Sequence, residues 1–218
     1  MIKGVIFDLD GLMFDTEPMW TTFWRPALAS LGLPYREELP DAFRGTAGES
    51  SREVLRSFYG EQVDADAIMD RFFGCAKEAF AQPVPKKPGL DELTAWLYEE
   101  KIPMAVASSS EREVIERHLL NAHLEQYFPV ILSGHEVACS KPDPEIFLRA
   151  ARELHVKPKE CLVLEDSHNG VRAGYRGGFL TVMVPDLLPV TDEMRGIASA
   201  ICGDLHEVLK LMKAGKLG

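Results

Sequence analysis

The chain has 218 residues, 46% of them hydrophobic and 27% charged, which suits one well-buried core with a smaller accessory unit and excludes two full-sized domains. Its net charge of -10, with no dense basic run, excludes nucleic acid and anionic membrane surfaces as expected partners. Four widely spaced cysteines and the lack of a long apolar run predict a reduced, cytoplasmic protein, and we expect a monomer.

The first predicted element is a buried strand near the start of the chain. Residues 4–7 read Gly-Val-Ile-Phe and run directly into Asp8-Leu9-Asp10-Gly11. A short apolar run that ends in acidic and glycine residues is typical of a buried strand followed by a turn. The two carboxylates are therefore expected at the carboxyl end of this strand.

The next predicted unit is helical. Only helix-like spacing of apolar residues is found over residues 16–81, and a proline-rich segment, Pro83-Val84-Pro85-Lys86-Lys87-Pro88-Gly89, follows it. Prolines interrupt helices and stiffen a connection. We therefore interpret residues 16–81 as an inserted α-helical domain.

Beyond the proline-rich segment, strands and helices alternate. Apolar strand-like runs lie at 104–107, 130–132, 161–164 and 180–184, with helix-like segments between them. Such alternation predicts a parallel sheet with helices on both faces. The predicted fold class is α/β, with a doubly wound, Rossmann-like core over 1–15 and 82–218 and the helical insertion over 16–81.

Polar side chains follow four of these strands or the loops next to them. Because the carboxyl ends of parallel strands share one edge, these residues are expected to converge there. They are Asp8, Asp10, Ser108, Ser109, Ser110, Lys141, Glu165 and Asp166. Clustered carboxylates raise one another's pKa unless a cation joins them, so the pattern favours a bound Mg²⁺.

Each of these residues alone also has an ordinary structural interpretation. Asp8, Asp10 and Asp166 are of a type that forms turns or caps helices, and Ser108 is placed to cap a helix that begins near residue 111. Lys141 alone would be read as an exposed loop residue. Taken together at one sheet edge, however, they favour a site, and neither nucleotide-binding glycine motif occurs in the chain.

Four short motifs in order make the pattern specific. They read Asp8-Leu9-Asp10-Gly11-Leu12, Val106-Ala107-Ser108-Ser109, Ser140-Lys141-Pro142-Asp143-Pro144 and Leu164-Glu165-Asp166-Ser167-His168-Asn169-Gly170. Across nearly its whole length the chain resembles the haloacid dehalogenase superfamily. The resemblance is to the branch with a helical cap that includes beta-phosphoglucomutase and the sugar-phosphate phosphatases.

The resemblance implies a phosphatase that acts on a small phosphorylated metabolite. Asp8 would attack phosphorus and become an aspartyl-phosphate, while Asp10 would protonate the leaving group and then activate water. Ser108, Ser109 and Lys141 would hold the transferring phosphoryl group.

The resemblance also implies Mg²⁺ as the cofactor. Its ligands would be Asp166, the Asp8 carboxylate and the backbone carbonyl of Asp10, with Glu165 binding directly or through water.

Three other functions use a similar arrangement of residues. Dehalogenases usually lack the second acid, which is present here as Asp10. The mutases carry a Lys-Gly-x-x-Arg pattern in the cap, whereas this chain reads Arg44-Gly45-Thr46-Ala47-Gly48, so we favour hydrolysis and keep a phosphosugar mutase as the alternative. Receiver-type signalling modules share the acidic sheet edge but are shorter and have no helical insertion.

Substrate recognition is assigned to the helical insertion. Glu17 and Arg44 are the predicted substrate-binding residues there. Trp20 and Trp24 are further candidates, and they are equally compatible with the hydrophobic core of the insertion.

Overall fold

The computed structural model describes residues 2–43, 46, 48–80 and 82–217. It divides into two compact units, one comprising Met1–Asp15 with Pro83–Gly218 and the other Thr16–Gln82. The roles of these units as catalytic core and cap remain a prediction. Within the described part of the chain, no helix has the length and apolar character needed to span a membrane.

The larger unit is built on a parallel sheet of six strands. They are β1 (Gly4–Phe7), β2 (Met104–Ser108), β3 (Val130–Ser133), β4 (Cys161–Glu165), β5 (Leu180–Met183) and β6 (Ala200–Ile201). Their order is β3-β2-β1-β4-β5-β6, and every pairing is parallel. The predicted α/β fold class is confirmed.

The smaller unit contains only helices among its described residues, as its apolar spacing predicts. They are α1 (Glu17–Ser30), α2 (Leu39–Phe43), α3 (Glu49–Tyr59) and α4 (Ala65–Ala79). Its core is aromatic, because the Trp24 ring, 2% exposed, stacks on Phe72 with ring centroids 4.0 Å apart. Trp20 packs against Phe72 and Phe80 at 5.6 and 4.9 Å, so both tryptophans belong to this core.

The helices of the larger unit alternate with its strands. They are α5 (Leu90–Glu99), α6 (Arg112–Asn121), α7 (Glu145–Glu153), α8 (His168–Arg176), α9 (Asp192–Ile197) and α10 (Leu205–Lys213). The sequence analysis did not predict β6, α9 or α10. Two of them are very short, since β6 has two residues and α9 has six. Helix α10 has nine residues with Leu205 and Val208 buried on one face, so its signal was present in the sequence.

Burial on both faces of the central strand explains why β1 is apolar throughout. Ile6 packs in a cluster with Phe147 of α7, and Val5 and Phe7, which alternate with it to the other face, are also fully buried. The sheet therefore has protein on both sides, and only its edge is left for polar side chains. The strand register then decides which strand ends lie side by side at that edge. Phe7 pairs with Val106 of β2 on one side and with Leu164 of β4 on the other.

Candidate active site

The polar residues that the sequence places after β1, β2 and β4 come together at the carboxyl edge of the sheet. The register puts Asp8 one residue beyond Phe7, beside the ends of β2 and β4. Lys141, on the loop between β3 and α7, reaches the same point. Its Nζ donates to Asp8 Oδ1 at 2.5 Å, to Glu165 Oε1 at 2.7 Å and to the Ala107 carbonyl at 3.0 Å.

This Asp8–Lys141–Glu165 group is almost entirely withdrawn from solvent. The three side chains are 10%, 7% and 0% exposed, respectively. The three hydrogen bonds use all three ammonium donors, which is what a buried lysine requires. Lys141 is therefore a core element of the site and not the exposed loop lysine that its local sequence would suggest.

The electrostatic balance of the group is negative. The pKa of Asp8 is raised to about 8, chiefly because the carboxyl group is buried and also because the Glu165 and Asp10 carboxylates are near, although Lys141 acts to lower it. Burial acts to lower the pKa of Lys141, but the charges of Asp8 and Glu165 outweigh burial and raise it. Lys141 thus stays protonated, and another positive charge near Asp8 would favour its ionised form.

Glu165 is fixed by protein donors on both oxygens. Oε1 accepts from Lys141, while Oε2 accepts from the Ser167 backbone N–H at 3.0 Å and from the Ser167 hydroxyl at 2.9 Å. Ser167 also caps α8 by accepting from the Gly170 N–H at 3.0 Å. This geometry favours a role for Glu165 in positioning Lys141 over a role as a ligand that turns toward a metal ion.

Gly170, in the fourth sequence motif, packs directly against the Glu165 carboxylate. A Cβ at this position would lie 1.8 Å from the Glu165 carboxyl carbon. Only glycine therefore lets the first turn of α8 pass this close to the carboxylate. The sequence signal for this close approach is a glycine four residues after Asp166, which directly follows β4.

Asp10 faces the serine-rich loop after β2. The Ser110 hydroxyl donates to Asp10 Oδ2 at 2.6 Å, and the Ser108 hydroxyl is 3.4 Å from the same oxygen. Ser110 was quoted only as part of the serine run and was not among the predicted site residues. Ser109 was among the predicted site residues, and its side chain is exposed.

The expectation that Ser108 caps the following helix is wrong. Helix α6 begins at Arg112 with Glu111 as its cap residue and no side-chain capping bond. The Ser108 hydroxyl instead accepts from the Ser110 N–H at 3.0 Å. Ser108 is 1% exposed and orders the loop that holds Asp10.

The predicted metal ligands were tested against the donors that the structure provides. Asp10 Oδ1 is buried and has no hydrogen-bond partner. A Cβ on Gly11 would lie 2.5 Å from Asp166 Oδ2, so the Asp166 carboxylate sits against the backbone that follows Asp10. Although no three described Asp, Glu, His or Cys side chains already form a ligand group, these oxygen donors have the chemistry that Mg²⁺ requires.

Asp186 and Lys87 also reach this edge, and the sequence analysis missed both roles. Asp186 follows β5, and its Oδ1 accepts from Lys87 Nζ at 2.7 Å. Lys87 Nζ also lies 3.3 Å from Asp15 Oδ1. The sequence did contain a signal for Asp186. An acidic residue just after a fifth parallel strand is expected at the same sheet edge as the polar residues that follow the other strands.

The two predicted substrate-binding residues of the insertion cannot be placed. Arg44 lies outside the described residues, and so does the side chain of Glu17, whose backbone begins α1.

A family model described as haloacid dehalogenase-like hydrolase matches residues 5–184. A phosphorylated carbohydrates phosphatase from Thermotoga maritima is 33% identical over 178 residues, covering 81% of this chain and 82% of the relative. Hexitol phosphatase B from Escherichia coli is 32% identical over 190 residues, covering 84% of each chain.

Among solved structures, CbbY from Rhodobacter sphaeroides in complex with phosphate is similar throughout. It is 28% identical with a TM-score of 0.80, and the match covers 95% of this chain and 96% of the other. The similarity therefore includes both compact units and is not limited to the sheet.

Proposed function

The chain belongs to the haloacid dehalogenase-like hydrolase family, and from this premise we propose that it is a Mg²⁺-dependent phosphatase that hydrolyses a small phosphomonoester through an aspartyl-phosphate on Asp8. One observation carries the proposal. Asp8 is a buried carboxylate at the end of the central strand, and it is held at 2.5 Å by the protonated Lys141. A buried carboxylate with a perturbed pKa beside a specific charge partner, at a sheet edge, is the setting that an activated nucleophile requires.

In the first proposed step, an Asp8 oxygen attacks phosphorus, and the bond from phosphorus to the leaving oxygen breaks. Asp10 donates a proton to that oxygen, so the product leaves as an alcohol. The contact from Ser110 to Asp10 Oδ2 at 2.6 Å supports this role, because it holds Asp10 in one orientation.

In the second step, water attacks the phosphorus of the aspartyl-phosphate, and the bond from phosphorus to Asp8 breaks. Asp10 now accepts the proton of that water and is returned to its starting state. Inorganic phosphate leaves, and both carboxyl groups are ready for another cycle.

Lys141 and the serine loop hold the phosphoryl group in both steps. Lys141 offsets the negative charge that gathers on the phosphoryl oxygens, and Ser108 offers a hydroxyl donor. We propose that Glu165 keeps Lys141 in place, because both of its oxygens accept from protein donors. Ser109 remains a proposed phosphate contact through the backbone of the same loop.

We propose that Asp166, the Asp8 carboxylate and the Asp10 backbone carbonyl hold Mg²⁺, with Glu165 at most a more distant contributor. When bound, the ion stabilises charge on the phosphate oxygens and favours the ionised form of Asp8. The position of the Asp166 carboxylate against Gly11, the residue that follows Asp10, supports a cation held at this point.

For the substrate we propose a sugar phosphate or a similar metabolite. Two relatives are named as phosphatases of phosphorylated carbohydrates and hexitol phosphates, which supports this class. Glu17 and Arg44 remain the proposed contacts from the helical unit.

The phosphosugar mutase alternative would need a cationic side chain to grip a second phosphate. The position that carries arginine in the mutases is Gly48 here. Arg52, one turn later, donates to Asp66 Oδ1 at 2.8 Å and lies 3.6 Å from Glu49. Its charge is therefore already paired, which supports hydrolysis.

Phosphate release from a panel of sugar phosphates, with and without Mg²⁺, tests the proposal. We expect release from at least one sugar phosphate in the presence of Mg²⁺ and none from the Asp8→Asn variant. Conversion of a sugar phosphate to its isomer without phosphate release would favour the mutase. No turnover of any panel member or of a generic aryl phosphate would favour a receiver-like module.

A further inference from the structure

Asp186 is a largely buried carboxylate that the proposed reaction steps do not use. Its side chain is 11% exposed and follows the end of β5, at the same sheet edge as Asp8 and Asp166. Its two oxygens differ sharply. Oδ1 accepts from Lys87 Nζ at 2.7 Å, whereas Oδ2 is buried without a hydrogen-bond partner.

The unpartnered oxygen faces the backbone turn at Gly11. A Cβ on Gly11 would lie 3.3 Å from Asp186 Oδ2 and 2.5 Å from Asp166 Oδ2. The two carboxylate oxygens are therefore at most 5.8 Å apart, the sum of these distances. A single water that hydrogen-bonds to two oxygens can span up to about 5.5 Å between them.

A buried carboxylate oxygen without a donor is unfavourable, so a donor is expected when the site is complete. Mg²⁺ in proteins usually keeps several of its waters, and each of them is a strong hydrogen-bond donor. We propose that Asp186 is a positioning residue of the metal site, whose Oδ2 accepts a hydrogen bond from a water held next to Asp166, and that Lys87 fixes it in this orientation. This inference rests on the proposed function and its Mg²⁺ site.

Lys87 makes the arrangement directional. Because Lys87 Nζ occupies Oδ1, the carboxylate presents Oδ2 to the site as an acceptor. In an Asp186→Asn variant, the side-chain oxygen should stay with the lysine, since the amide NH₂ cannot accept from it. The NH₂ would then occupy the Oδ2 position and present a donor where the water needs an acceptor.

The chain contains a matched control one residue earlier. Lys86 Nζ donates to Asp91 Oδ1, also at 2.7 Å. Asp91 is 60% exposed, and none of the contacts at the Asp8–Lys141–Glu165 group involves it. Asp91→Asn removes the same charge from the same kind of pair, so it measures the general effect of charge on Mg²⁺ binding.

Isothermal titration of Mg²⁺ into the full-length, chelator-treated protein tests the inference without measuring activity. We expect Asp186→Asn to raise the Mg²⁺ dissociation constant about 10- to 100-fold, the usual effect of removing a partner of a metal ligand. Asp91→Asn should stay within about twofold of the wild type, because exposed charges are well screened.

A double variant, Lys87→Met with Asp186→Leu, guards against a variant that fails to fold, and leucine offers the water no acceptor in any orientation. It removes both charges, so it leaves no unpaired buried ion, and its net charge stays at -10 like the wild type. We expect the same loss of Mg²⁺ affinity, with a melting temperature in chelator close to that of the wild type.

Wild-type affinity in both Asp186 variants would overturn the inference and leave the proposed function intact. An equal loss in Asp91→Asn would also overturn it, because charge alone would then explain the effect. A wild-type protein that binds no Mg²⁺ would instead contradict the proposed cofactor.

Discussion

At the scale of single residues, the site depends on one lysine shared by two buried carboxylates. Lys141 contacts Asp8 at 2.5 Å and Glu165 at 2.7 Å, and Glu165 is held in turn by Ser167. Removing one partner of such a group leaves an uncompensated buried charge. The most informative substitutions therefore preserve shape and hydrogen bonding while removing a single chemical ability.

Asp8→Asn is such a substitution. The amide is nearly isosteric and can still accept from Lys141, but it cannot attack phosphorus, so we expect turnover to vanish while the folded state persists. Steady-state phosphate release measures the loss of turnover, and circular dichroism measures whether the folded state persists. In the wild type, mass spectrometry after trapping should place the phosphoryl group on Asp8, and an adduct on Ser108 would contradict the mechanism.

Asp10→Asn removes the proposed acid and base. We expect turnover to fall by about two to four orders of magnitude, the usual contribution of such a group. In the first step, aryl phosphates should lose less rate than alkyl phosphates, because good leaving groups need less protonation. Single-turnover rates for the two substrate types measure this difference, and equal losses would argue against the acid role of Asp10.

At the scale of elements, the contact between the end of β4 and the first turn of α8 decides where Glu165 points. Ser167 caps α8 and binds Glu165 in the same loop, and Gly170 leaves the space that the carboxylate occupies. Gly174, one turn later, is similarly close to β5, since a Cβ there would lie 2.4 Å from Thr181 Oγ1. Helix α8 thus approaches the sheet through small residues.

Gly170→Ala should therefore damage both stability and activity. The added methyl would lie 1.8 Å from the Glu165 carboxyl carbon, and relieving that overlap is expected to cost about 1–3 kcal/mol of folding free energy. Glu165 would also be displaced from Lys141. Denaturant unfolding and phosphate release at saturating substrate measure the two effects.

Gly74→Ala is the matched control for that substitution. Gly74 lies inside α4, and a Cβ there would meet nothing within 4 Å. We expect stability to rise by about 0.5–1 kcal/mol, because alanine is the better helix former, with no change in turnover. Equal behaviour of the two variants would contradict the packing role assigned to Gly170.

At the scale of the whole molecule, charge and cation binding are linked. The net charge is -10, and the proposed metal site concentrates carboxylates at one sheet edge. Such a protein attracts Mg²⁺ and repels a phosphorylated substrate at long range. We therefore expect attraction of the substrate to be local, through the proposed contacts with Lys141 and Mg²⁺.

This linkage predicts that Mg²⁺ raises the melting temperature. A ligand at 100 times its dissociation constant stabilises the folded state by about 2.7 kcal/mol. Differential scanning calorimetry across a Mg²⁺ series should show the increase, and higher ionic strength should weaken it. Asp166→Ala should abolish the increase, and an unchanged response in that variant would remove Asp166 from the proposed ligands.

The α/β architecture could be predicted from the sequence, because apolar strand-like runs alternate with helical spacing strongly enough to be recognised without knowledge of tertiary contacts. It also indicated that residues after β1, β2 and β4 share one edge, since parallel strands end on the same side. It did not reveal β6 or α9, whose two and six residues form only because the larger unit packs around them.

The contacts of the individual side chains could not be predicted, because they depend on tertiary packing. Ser108 and Ser110 lie in one serine run, yet their hydroxyls are 3.4 Å and 2.6 Å from Asp10 Oδ2, respectively. The pairing of Lys87 with Asp186 joins residues 99 positions apart, and no local pattern encodes it. Hydrogen bonds depend on tenths of an ångström and on direction, and these are set by packing between elements that are distant in the chain.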